Sequence, residues 1–114
     1  MAESETLDLA GWISDETGPL WGTATEQLNA TFLSWRDGHE IAAHVNNEVD
    51  VVMIVISGEG EVEVDGKTQT LKPGSLVVLP KGTERAVRAR STPFSYVNVH
   101  QRRSLKLTTP PPRS

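Results

Sequence analysis

Apolar and polar residues trade places at short period along almost the whole chain. Leu28 to Trp35 alternates and is rich in aromatics, and Glu40 to Asn46 alternates again. Both patterns predict strands with one covered face. Val51 to Ile56 is continuous and β-branched, which predicts a strand covered on both faces. Further strands are predicted over Glu61–Asp65, Thr68–Lys72, Ser75–Leu79, Thr83–Arg90, Phe94–His100 and Leu105–Thr108. Turn residues separate them: Ser57-Gly58-Glu59-Gly60, Pro73-Gly74, Pro80-Lys81-Gly82, and Asp65-Gly66, a strong hairpin signal. The early residues read less regularly. Leu7, Leu9, Trp12 and Ile13 suit a short strand or a helical turn, and Gly18-Pro19 and Gly22 read as breaks. A series of short strands without a long amphipathic helix or an internal repeat predicts an all-β sandwich or barrel.

With 114 residues, one domain is expected, large enough to bury a core of its own. No cysteine is present, so disulfides, a thiol nucleophile and thiolate zinc sites are excluded. Met1 to Leu9 carries Glu3, Glu5 and Asp8 and has no targeting pattern. The longest apolar run, Val51 to Ile56, is far too short to span a bilayer. A cytoplasmic protein with no membrane partner is the expectation. A net charge of −4 argues against nucleic acid as a partner. The charge is unevenly spread: of 15 acidic residues only Glu84 follows Asp65, while eight of the 11 basic residues lie from Lys81 onward. In an interleaved sandwich, acidic early strands and basic late strands can lie side by side and pair.

The spacing of turn residues then becomes specific. Gly38, five residues, His44-Val45-Asn46, four residues, Val51, six residues and Gly58 resembles the first motif of the cupins. Gly74, five residues, Pro80-Lys81-Gly82, two residues, Arg85, three residues and Ala89 resembles the second. Ile56-Ser57-Gly58-Glu59-Gly60 and Leu71-Lys72-Pro73-Gly74 are also cupin-like. The likeness covers roughly residues 28–100. It implies a cupin-type jelly-roll β-barrel, or double-stranded β-helix, over 28–108. Residues 1–27 would be a short irregular extension packed on it and 109–114, with Pro110-Pro111-Pro112, a disordered tail.

In cupins two histidines and a glutamate of the first motif, with a histidine of the second, hold a divalent metal. Of those positions His44 alone keeps its type; Asn46, Val51 and Arg85 replace the others. One imidazole and an amide are a poor donor set, and a fixed cation repels a metal. No metal and no cofactor are therefore expected. Glu48 and Asp50, three and one residues before Val51, and the late His100 are the residues from which a site could be rebuilt.

Arg85 is the most informative position. Alternation groups it with Val87 and Ala89 on an apolar face, away from Glu84, Ala86, Arg88 and Arg90. A buried guanidinium needs an anion, which Glu48, Asp50 or a ligand carboxylate or phosphate would supply. For His44 the two readings conflict. Plain alternation puts it on the face of Glu40 and Ala42, opposite Ile41, Ala43 and Val45, whereas the resemblance turns His44 and Asn46 inward. We follow the resemblance. The row Phe94, Tyr96, Asn98, His100 is either a polar lining or a wet outer face, and His39 is expected to be solvated. Trp12, Trp21 and Trp35 read as core or interface anchors, and Glu59, Glu61, Glu63 and Asp65 as a solvated stripe.

The function expected from these residues is binding of a small, anionic organic molecule in the barrel by His44, Asn46, Glu48, Val51 and Arg85, without the usual metal. Catalytic residues are not identifiable. A homodimer is expected. The rival readings are a metal-dependent dioxygenase or isomerase with a rebuilt ligand set, and a non-catalytic regulatory or interaction protein.

Overall fold

The structure, a computed structural model, describes residues 4–12 and 16–102. After a 3₁₀ turn at Leu9–Trp12 come nine strands. They are β1 Gly18–Ala24, β2 Leu28–Trp35, β3 Glu40–Val45, β4 Val51–Ser57, β5 Gly60–Val64, β6 Lys67–Leu71, β7 Leu76–Leu79, β8 Glu84–Ala89 and β9 Phe94–Gln101. Two antiparallel sheets form, ordered β1-β2-β9-β4-β7 and β3-β8-β5-β6. This is a jelly roll, with sequence-distant strands as neighbours and the chain crossing between the sheets. The strand predicted over Leu105–Thr108, the proline tail and Ile13 lie outside the described residues.

Eight of the nine strands fall where the alternation puts them. The exception is β1: Gly18-Pro19 and Gly22 do not break the chain, and the segment pairs with β2 as a sheet edge. An edge strand tolerates proline because its free side makes no ladder bonds, and a register shift between Pro19 and Trp21 absorbs the irregularity. The Asp65-Gly66 hairpin forms as its dipeptide predicts, with φ of 49° and 83°.

The core is built from the inward residues of both sheets. Val51, Met53 and Val55 of β4, Val77 and Leu79 of β7, and Phe94 and Tyr96 of β9 meet Val62, Leu71, Val87 and Ala89 of the second sheet. Phe94 lies so close over β5 that a Cβ on Gly60 would come within 2.5 Å of its ring. The other side of the first sheet is only partly covered. Trp12 sets its ring edge-on to Phe32, with centroids 6.2 Å apart. The outward residues of β4 are half-buried, not covered as their continuous apolar run predicts. On β7, Leu76 and Val78 are exposed. Across the outer face of the second sheet the acidic stripe pairs with the later arginines. Arg88 bonds Glu40 at 2.8 Å and Glu63 at 3.3 Å, and Arg90 bonds Glu61 at 2.8 Å. The uneven charge of the chain is thus neutralised between adjacent strands.

Candidate functional site at the barrel mouth

Two loops close one end of the barrel: residues 46–50, which join β3 to β4, and residues 80–83, which join β7 to β8. Their polar groups are largely committed to each other. The Asn46 side-chain oxygen accepts the amides of Glu48 at 2.8 Å and Val49 at 3.2 Å, and its carbonyl accepts the Gly82 amide at 2.8 Å. The Asp50 carboxylate accepts the Lys81 amide at 2.8 Å. Asn46 and Asp50 therefore shape the mouth. Glu48 is exposed on this loop, and Val51 is a core residue only 6% exposed.

His44 reaches the mouth through a bulge. Ile41 stands opposite Val87, and His44 opposite Arg85, so three steps along β3 match two along β8. An extra residue of this kind flips every later side chain to the other face. Ile41 and His44 thus both face the interior side of the sheet, which strict alternation forbids. His44 is exposed at the rim, and its Nδ1 lies 3.0 Å from the Ala42 carbonyl.

Arg85 is the unusual group. It is 5% exposed, flanked on its face by His44 and Val64. Among the described residues no salt bridge ends on it, and its buried Nη1 has no hydrogen-bond partner. Asp65, beside this position, spends its carboxylate on the Glu84 amide at 2.9 Å. Burial lowers the Arg85 pKa from its ordinary value.

On the facing sheet, β9 turns its polar row inward. Tyr96 pairs with Val55, Asn98 with Met53 and His100 with Val51, and those partners are core residues. Tyr96 is 1% exposed and its hydroxyl accepts the Trp35 Nε1–H at 2.9 Å. Desolvation pushes its pKa up to about 12. His100 Nδ1 lies 2.8 Å from the Gln101 carbonyl. The Asn98 Oδ1 is buried without a partner, although Thr31 stands across the ladder. The sequence places Asn98 in a row that is either a polar lining or a wet outer face, and gives it no site role. Phe94 and Tyr96 were the signal: the largest apolar residues of the strand mark its buried face, and Asn98 shares it. His39 is exposed as expected but stacks on Trp35 at 4.0 Å, away from the mouth.

The cupin domain family, Cupin_2, matches residues 32–100, more than half of the chain. The chain belongs to the cupin family. Among curated proteins it is similar to L-ectoine synthases. It is 43% identical over 54 residues to that of Vibrio campbellii and 38% over 55 residues to that of Saccharophagus degradans. Each match spans 46% of this chain and only 41% of the relative's length. Among solved structures, KdgF from Halomonas sp. is 25% identical with a TM-score of 0.69, covering 74% of this chain and 77% of that one. A conserved Streptococcus pyogenes protein of unknown function gives a TM-score of 0.73 at 23% identity, covering 92% and 93%. A cupin-2 domain protein of Shewanella frigidimarina gives 0.69 at 18%, covering 84% and 94%.

As a cupin, this chain does not fit a divalent metal at the usual positions. Val51 has no donor atom, Asn46 spends its oxygen on backbone amides, and Arg85 is a buried cation. Among the described residues no group of three His, Cys, Asp or Glu side chains converges elsewhere either. Among the described residues no helix is long and apolar enough to cross a membrane. A depression of about 210 Å³ on the outer face of the second sheet is bordered by Glu40, Ala42, Ala86 and Arg88.

Proposed function

We propose that this cupin binds a small organic anion at its barrel mouth, with Arg85 as the charge anchor. The observation that carries the reading is a buried guanidinium without a counter-ion among the described residues. Leaving such a charge unpaired costs several kcal/mol, which an incoming carboxylate or phosphate would recover. The guanidinium fork also suits the planar geometry of a carboxylate. His44, across the ladder, is the second polar contact, while Asn46 and Glu48 belong to the loop that an entering ligand must displace. Calorimetric titration with inorganic phosphate and a set of small carboxylates tests this. At least one should bind the wild-type protein, and Arg85→Met should weaken it tenfold or more. Equal binding by the variant would overturn the anchor role.

A catalytic reading draws on the partial likeness to L-ectoine synthases. In that reading L-ectoine itself should bind at the mouth, which the same calorimeter reads directly. Self-association belongs to our proposal too. Leu76 and Val78 are 59% and 58% exposed beside half-buried Val52 and Ile54, an apolar outer face that pairing of two copies would cover. Light scattering at tens of micromolar should then give twice the chain mass, and Val78→Lys should halve it.

A further inference from the structure

A second unmet group narrows the ligand. Nη1 of Arg85 and Oδ1 of Asn98 are the two buried side-chain polar atoms without a hydrogen-bond partner among the described residues. They come from opposite sheets. Arg85 is the second residue of β8, immediately after the mouth loop 80–83. Asn98 lies level with Met53, one inward step below the Val51–His100 pair that begins β4. Both face the interior in the same half of the barrel. Isolated, each is a costly defect, because a buried polar atom is normally satisfied.

The two atoms ask for complementary things. Nη1 is a donor on a cation and requires an anionic acceptor. Oδ1 is an acceptor and requires a donor. That donor must be neutral, since an ammonium beside a fixed guanidinium would be repelled. A carboxylate carrying a hydroxyl meets both demands with one small molecule, and a plain carboxylate meets only one.

We infer that the mouth takes a small hydroxycarboxylate, its carboxylate on Arg85 and its hydroxyl donating to Asn98. This rests on the anion-binding reading above and goes beyond it by naming the class of ligand and a second specificity residue.

The test compares carboxylates that differ by one hydroxyl, lactate against propionate and malate against succinate, in calorimetry on the full chain. The hydroxylated member of a pair should bind about tenfold tighter or more, because a site with a buried acceptor penalises the analogue that leaves it unpaired. In Asn98→Leu the two members should become equal. A wild-type protein that binds both members equally would overturn the inference and leave the anion reading standing. No binding of any of the four would overturn the inference as well, and the anion reading would then stand or fall on the phosphate titration. The wild-type comparison needs no variant to fold, so the inference is decided even if Asn98→Leu is unstable.

Discussion

His44 stands directly across the β3–β8 ladder from Arg85, brought there by the extra residue between Ile41 and His44. Directly opposed side chains are within reach of each other, and opposite charges there attract. His44→Glu would therefore supply Arg85 with an internal counter-ion. We expect the free protein to gain about 0.2–1 kcal/mol in urea unfolding and to lose affinity for external anions. A variant that bound anions as well as wild type would show that the two side chains do not share one site.

Arg85→Met should make the ligand-free protein more stable. It replaces a buried charge that has no partner among the described residues with an apolar side chain of similar length. Exchanges of buried ionic groups for apolar ones stabilise by about 1–4 kcal/mol. The urea midpoint should rise with unchanged slope. A fall of that size would mean that Arg85 holds the fold together and is not held in reserve for a ligand.

Gly58 should be the least replaceable of three glycines, followed by Gly60 and then Gly74. A Cβ on Gly60 would sit 2.5 Å from the Phe94 ring and 2.7 Å from the Arg88 carbonyl, and Phe94 is fully buried. Gly60→Ala should cost about 1–3 kcal/mol as overpacking. Gly58→Ala should cost more, because φ is +76° and the added carbon would run into the Pro93 carbonyl. Gly74 also has positive φ, +89°, but nothing lies within 4 Å. Gly74→Ala should lose about 1–2 kcal/mol, the backbone term alone. Thermal unfolding of the three variants reads this ranking.

Stability should fall at high pH through one group. Tyr96 is the chain's single tyrosine, and burial pushes its pKa up to about 12. Below pH ~10 both folded and unfolded chains keep the phenol proton, so its contribution is whole. As pH climbs, the unfolded chain ionises first and stability is lost until the folded phenol ionises near 12. A shift of this size corresponds to roughly 3 kcal/mol. Phenolate absorbance reports on Tyr96 alone, and Tyr96→Phe should abolish the tyrosine-linked loss. A phenol that titrated near 10 in the folded protein would contradict this.

Much of this architecture is legible in the residue order because strand period and turn chemistry are local. Alternation places Arg85 with Val87 and Ala89, and the structure buries those three together. Asp-Gly yields a hairpin because both residues tolerate positive φ. The excess of acid early and base late is also readable, and it matters because β5 and β8 become neighbours. Plain alternation fails at His44 for a physical reason: a bulge depends on how two strands meet, so no single strand's pattern contains it. It fails at Gly18–Ala24 because a sheet edge excuses residues that an interior strand would reject.

The sequence by itself determined the class of fold, the positions of eight strands and the loss of metal-donor types at the cupin positions, since each depends on residue type and spacing along one segment. Tertiary structure decided the rest. It chose the inward face of β9, set Asn98 in the same half of the barrel as Arg85, spent Asn46 and Asp50 on the mouth loops, and left the Arg85 guanidinium with no counter-ion among the described residues. Hydrogen bonds and ion pairs between distant residues depend on which strands become neighbours. That choice is made by packing the whole core at once, not by any short stretch of chain.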